Sequence, residues 1–203
     1  MKRIIFLFVL LYVTNSLFAQ PNSGFKGGVN LTWFQTDNAY RKCYPALGYH
    51  LGYAWRINCS PKVSISIESM FNRKSIQERS YLRYNEKING EYVLGSKMRN
   101  YANYVSAPLG VNYMLNHRFY VSGGYEFSYC LYELFGDQFG PAYDHAGYLG
   151  GGFHSRYFDV VLRYAQTFNE GEGSFNDYHI SGKSSTLQLS LILSLGRKKN
   201  KED

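Results

Sequence analysis

Between Gly24 and Phe34 the chain alternates, with Phe25, Val29, Leu31 and Trp33 on one parity and Lys26, Gly28, Asn30 and Thr32 on the other. Successive side chains of a strand point to opposite faces, so a period of two predicts a β-strand with one apolar and one polar face. The period returns in Leu47, Tyr49, Leu51, Tyr53 and Trp55 against Gly48, His50, Gly52, Ala54 and Arg56. It returns from Lys62 to Asn72, where Val63, Ile65, Ile67 and Phe71 oppose Ser64, Ser66, Glu68 and Met70. A fourth segment, Tyr101 to Leu115, sets Val105, Ala107, Leu109, Val111 and Tyr113 against Tyr104, Ser106, Pro108, Gly110 and Asn112. Proline removes a ladder donor, so a bulge or local irregularity is expected at Pro108. The fifth segment, Phe119 to Leu131, alternates Val121, Tyr125, Phe127 and Tyr129 with Tyr120, Ser122, Glu126 and Ser128. The sixth, about His145 to Ser155, is less regular: Leu149 and Phe153 fall outward and Tyr148 inward across a GYLGGGF run. The seventh sets Phe158, Val160, Leu162 and Tyr164 against Asp159, Val161, Arg163 and Ala165, and the eighth sets Leu187, Leu189, Leu191, Leu193 and Leu195 against Gln188, Ser190, Ile192 and Ser194.

No charged residue falls on the apolar parity of these segments, whereas Lys26, Arg56, Glu68, Glu126, Asp159 and Arg163 all fall on the other. A soluble sandwich alternates in the same way, so alternation alone does not choose the architecture. Connection lengths and the leader do. The links after the second, fourth and sixth strands are tight, at about Ile57 to Pro61, Asn116 to Arg118 and Arg156 to Tyr157. Those after the first, third, fifth and seventh are longer, the second of them running from about Arg73 to Lys97. Short turns alternating with long loops, with both termini on the turn side, are the pattern of an outer-membrane barrel. Each strand has roughly the 9 to 11 residues needed to cross at a tilt. Trp33, Tyr49, Phe71 and Tyr129 at one set of strand ends, and Trp55, Tyr113, Phe119 and Phe158 at the other, read as interfacial girdles.

The chain opens MKRIIFLFVLLYVTNSLFAQ, with Lys2 and Arg3 ahead of an apolar run from Ile4 to Val13. That is the form of a secretory signal peptide, too short for a helix that must cover a hydrocarbon core with about 20 apolar residues. Cleavage is expected after Ala19, and no cysteine follows there to carry a lipid. Residues 1–19 are therefore read as a signal peptide, 20–196 as one all-β domain, an eight-stranded antiparallel up-and-down transmembrane barrel, and 197–203 as a charged periplasmic tail. Twenty Tyr, 14 Phe and 20 Gly suit such strands, and the slightly negative mean hydropathy is uninformative, since a barrel hides its lipid face in alternation.

At GFKGGVNLTWF, YVSAPLGVNYML, FYVSGGYEFSY, YFDVVLRYAQTF and LQLSLILSLG the chain resembles the PorT-like outer-membrane β-barrel family of Bacteroidota, over nearly the whole of its length after the leader. The resemblance implies an eight-stranded outer-membrane barrel, usually without assigned activity, with one named member associated with type IX secretion and gliding. The chain departs from the family at its end, where Leu195-Gly196 runs into RKKNKED in place of a terminal aromatic.

The chemistry-bearing residues change this picture little. His179-Ile180-Ser181 would put a His base and a Ser nucleophile on one face of a strand, and it resembles the motif of outer-membrane lipid A deacylases. No carboxylate follows on the last strand to orient the imidazole, so a polar loop is the preferred reading and no catalytic residue is assigned. His50, His117, His145 and His154 have no metal-ligand spacing, so neither metal nor cofactor is expected. Gly150-Gly151-Gly152 lacks the strand-to-helix setting of a phosphate loop and reads as a place of close backbone approach. Cys43, Cys59 and Cys130 exclude a disulfide framework; if one bridge forms it joins Cys43 to Cys130, with Cys59 across the membrane from both.

Inside an eight-stranded barrel side chains fill the bore. Glu68, Glu126 and Arg163 are expected near mid-height, with Arg163 bridging the two glutamates, and Lys26, Arg56 and Asp159 nearer the periplasmic end. The basic loop from Arg73 to Arg99 makes Arg73, Lys74, Arg79 and Arg83 candidate contacts for lipopolysaccharide phosphates, although a solvated loop is the plainer reading. The net charge of +7 gives no support for nucleic-acid binding in this compartment. The sequence thus predicts a non-catalytic, monomeric outer-membrane barrel, structural or presenting loops to an envelope protein, among outer-membrane lipid and lipopolysaccharide. A lipid-modifying enzyme and a type IX secretion accessory are the alternatives.

Overall fold

The computed structural model describes residues 23–36, 41–81, 94–131, 143–168, 171–175 and 178–195. The segments read as a signal peptide and a charged tail, and residue 83, lie outside them. The elements are β1 (Gly24–Thr36), β2 (Arg41–Asn58), β3 (Val63–Tyr81), β4 (Leu94–Met114), β5 (Phe119–Cys130), β6 (Tyr143–His154), β7 (Phe158–Thr167), β8 (Gly171–Phe175) and β9 (Tyr178–Ser194). Every pairing is antiparallel and between sequence neighbours, apart from two. β7 pairs with β9 from Ser185 to Leu193, and the short β8 pairs with β9 from Tyr178 to Gly182, so β7 and β8 lie along the same edge as one interrupted stave. β1 then pairs with β9 from Gly24↔Ser194 to Thr36↔Gly182, which closes an eight-stranded barrel.

Burial is inverted relative to a soluble protein. Phe25, Leu51, Leu109 and Leu149 are 58%, 60%, 53% and 71% exposed, while Lys26, Glu68, Glu126 and Arg163 on the other parity are each under 5% exposed. The apolar parity therefore faces out and the charged parity fills the bore. Among the outward aromatic residues one departs from this: Tyr53 is buried on the outer wall, because Phe25 and Trp55 pack on its ring at 5.4 and 4.9 Å and its hydroxyl donates to Ser23 Oγ at 3.0 Å. Rings gather at both rims of the apolar band. Tyr49 meets Phe71 and Tyr129 meets Tyr143 at one end, and Phe119 meets Phe153, which in turn meets Phe158, at the other.

The strands run further than the apolar pattern predicts. β3 and β4 have 19 and 21 residues, about twice what crossing requires. The stretch expected as one loop from Arg73 to Lys97 is a paired hairpin up to Tyr81↔Leu94, and the first long link shrinks to residues 37–40. The turns at the opposite end lie where the sequence puts them. Ser60 Oγ accepts from the Lys62 and Val63 amides, and Asn116 Oδ1 accepts from those of Arg118 and Phe119, the side-chain caps expected of Ser and Asn in tight turns.

Pro108 makes no bulge. The β3–β4 register is the same on either side of it, and the ladder skips the pairs opposite Glu68 and Ser69, while on its other edge Pro108 stays paired with Glu126. The missing donor is absorbed where no bond is made. The bulge lies instead at Pro45, between Pro45↔Ile76 and Tyr49↔Arg73.

Candidate functional site

The lumen is filled in successive layers, all from the inward parity. Nearest the turn end, Arg56 binds Asp159 at 2.8 Å, lies 4.8 Å over the Tyr120 ring and donates to its hydroxyl at 3.2 Å. His154 Nδ1 shares the same carboxylate at 2.6 Å. Above them Glu68 takes two cations: Lys26 Nζ at 2.7 Å, and Arg163 through both terminal nitrogens at 2.7 and 3.2 Å. The guanidinium lies 3.9 Å over the Tyr148 ring. That ring fits because Gly110 and Gly124 have no side chain; a Cβ would stand 1.9 Å from the Tyr148 hydroxyl at the first and 2.7 Å from its Cζ at the second. Among the waters' usual places there remains a cavity of about 30 Å³ beside Arg56, Glu68, Tyr120, His154 and Arg163, room for one or two molecules.

Next comes a neutral layer. Asn30 Oδ1 meets His50 Nδ1 at 2.6 Å, the far side of that imidazole meets Ser190 Oγ at 2.9 Å, and Asn30 Nδ2 donates to Asn72 Oδ1 at 2.6 Å. Asn72 in turn donates to Glu126 at 3.4 Å, as Ser128 does at 3.2 Å. Nearest the loop end, Lys74 binds Asp144 at 2.5 Å with the Tyr104 ring 5.1 Å from its ammonium, and Thr32 meets Thr186 at 3.2 Å. Arg56, Lys26, Arg163 and Lys74 thus stand against Asp159, Glu68, Glu126 and Asp144, so formal charge cancels along the bore. Cancellation is what a narrow, poorly hydrated space demands, since an unpaired buried charge is costly.

Three placements differ from the sequence reading. Arg163 does not bridge the two glutamates: its fork is saturated by Glu68, and Glu126 is held by neutral donors, with Oε2 bonded to none of the described residues. Lys26 joins Glu68 rather than the Arg56–Asp159 layer. Lys74 is not on a loop facing lipid phosphate; it continues the inward parity of Glu68, Met70 and Asn72 and is buried. Arg73 is outward and half-buried, stacked 3.8 Å from the Tyr101 ring. The Arg79 side chain and residue 83 lie outside the described ones, as do the side chains of His179 and Ser181, which occupy β9 opposite Ser174 and Glu172. The sequence reading also missed the Lys74–Asp144 pair, and it counts Arg99 only as the end of the basic loop, whereas its guanidinium donates to the Leu47 carbonyl at 2.5 Å on the outer wall. Extending the β3 alternation past Asn72 would have found the first.

Cys43, Cys59 and Cys130 form no disulfide, so the Cys43–Cys130 bridge is not formed; β2, which carries Cys43, and β5, which carries Cys130, are not neighbours. Among the described residues no cluster of three or more His, Cys, Asp or Glu is arranged to hold a metal. Most of the charged groups of the lumen are paired with one another, while Ser122 Oγ, Glu126 Oε2, Arg163 Nε and both amide atoms of Gln188 have no hydrogen-bond partner among the described residues.

No curated protein matches the chain. Among solved structures it is similar to Ail, the attachment invasion locus protein of Yersinia pestis, at 14% identity over 87% of this chain and 99% of that one, with a TM-score of 0.45. It is also similar to the outer membrane protein OprG from Pseudomonas aeruginosa, at 8% identity over 85% and 91% with a TM-score of 0.42. The outer membrane protein AlkL, solved in lipid bilayers, gives 11% identity over 91% and 96% with a TM-score of 0.42. The family model of the outer membrane protein beta-barrel domain matches residues 18–200, and with its strands, its inverted burial and its closed sheet accounted for, the chain belongs to that family of the bacterial outer membrane.

Proposed function

We propose that this protein is a non-catalytic, non-conducting outer-membrane barrel, a plugged scaffold that holds paired β-structure outside the membrane for a structural or interaction role. The observation that carries the reading is the Lys26–Glu68–Arg163 triad, with Tyr148 laid against it, across the middle of the bore. An open pore would leave those charges hydrated and apart. The end bearing the longer connections is the extracellular one, as in other barrels of this kind, and the elongated β3 and β4 project there. The leader, the periplasmic tail, a monomeric state and the closer kinship with PorT-like barrels belong to the same proposal and rest on the sequence motifs.

Planar-bilayer recording on the purified, folded full chain tests it. No large, steady conductance is expected. Porin-sized steps from the wild type would overturn the plugged reading.

A further inference from the structure

Outside the lumen, at the loop end of the β2–β3–β4 wall, stand two arginines with no carboxylate beside them among the described residues. Arg73 packs its guanidinium 3.8 Å over the Tyr101 ring, with the Tyr49 ring at 5.9 Å on the other side. Arg99 is exposed and reaches across β3 to the Leu47 carbonyl. Arg73 is the register partner of Tyr49, two residues along β2 from Leu47, so both guanidiniums gather over the same short stretch of β2. Among the described residues neither has an ion-pair partner, in contrast to every buried lysine and arginine of the bore. Further from the turn end the register sets Lys42 opposite Arg79 and Arg79 opposite Lys97, three cationic residues in one row across adjacent strands.

The position of the two arginines says what that anion is attached to. Toward the turn end of both arginines lie Leu51 and Val105, 60% and 45% exposed on the same wall, the surface that meets acyl chains, and Leu47 lies between the levels of the two arginines. The ligand must therefore carry its negative charge just above its hydrocarbon. In the outer leaflet of the bacterial outer membrane, the phosphates of lipid A satisfy this geometry. A guanidinium stacked on a ring is held with its N–H edge presented for bidentate bonding to a phosphate.

We propose that Arg73 and Arg99 form a phosphate-binding site on the outer wall that holds a lipid A headgroup of lipopolysaccharide, with Tyr101 and Tyr49 orienting Arg73. The inference rests on the loop end facing outward and is independent of whether the lumen conducts.

Full-chain protein in phosphatidylcholine nanodiscs is titrated with bisphosphorylated lipid A and, separately, with the same lipid A after removal of its phosphates. The wild type should bind the phosphorylated form about tenfold or more tightly, and R73A/R99A should lose that preference. R73K/R99K, which keeps charge but not the planar fork, should fall between. Equal binding of both lipids by the wild type overturns the site, and this comparison stands even if the alanine variant does not fold. An undiminished preference in a folded R73A/R99A protein overturns the two residues' role. Displacement of lipid A by millimolar inorganic phosphate alone would assign the site to the free anion and overturn the headgroup.

Discussion

Strand β3 carries two opposite treatments of charge only one residue apart. Lys74 turns inward and is paired with Asp144; Arg73 turns outward and rests on tyrosine rings with no carboxylate among the described residues beside it. The inward side chains are buried, so each cation among them needs a counter-charge from the same chain. The outer wall meets lipid and headgroups, and a cation at that boundary can take its counter-charge from the membrane.

Substitutions on the two faces should therefore behave differently, and the largest difference is expected at Glu68. Glu68→Ala leaves Lys26 and Arg163 both buried beside a void, and removal of one partner from a buried ion pair costs about 3–5 kcal/mol. Urea unfolding of the lipid-reconstituted barrel checks this, and replacing the whole triad as K26M/E68L/R163M should recover much of the loss. A smaller effect is expected from Lys74→Ala, roughly 1–3 kcal/mol, because the Asp144 carboxylate it strands lies toward the mouth, where water can reach it. The same unfolding assay reads it, and a loss as large as that of E68A would mean that the mouth is as dry as the middle. The smallest effect on stability belongs to Arg73→Ala, under about 1 kcal/mol, as for most partly exposed charges. A drop of several kcal/mol at Arg73 would erase the contrast between the faces, since it would place that guanidinium in the same structural role as Arg163.

The limits of the sequence reading follow the same division. From Leu187 to Leu195 each alternate leucine faces lipid, and that regularity is legible because the membrane imposes it on one face of every crossing strand. Beyond Asn72 on β3 and before Tyr101 on β4 both faces leave the hydrocarbon, the apolar period ends, and a strand such as Arg73–Tyr81 has the composition of a loop. Pairs within the bore were only partly legible. Inward parity places Glu68 and Arg163 on the same surface, but β3 and β7 are not neighbours, and which cation reaches which carboxylate depends on the radius of the barrel and the direction of each side chain. Arg163 has one fork, and Glu68 occupies it; Glu126 is left to Asn72 and Ser128 for that reason. The irregularity expected at Pro108 takes the form of a gap in the β3–β4 ladder and not of a bulge, and the register shift sits at Pro45, where the alternation gives no sign of it.

The closing seam between β1 and β9 sets the order of events in the life of the chain. Gly24 pairs with Ser194 and Thr36 with Gly182, residues from opposite ends of the domain, and β1 has no other partner on that edge. During synthesis and transit the first strand waits, its amides and carbonyls uncapped, until the last strand has been delivered. Every partial product exposes an open edge of the kind that recruits other chains. Such a protein depends on escort before it depends on stability: its hazard is the interval between export and closure, and a lesion in β9 would be felt first as aggregation of newly made chains, before any finished barrel existed to be weakened.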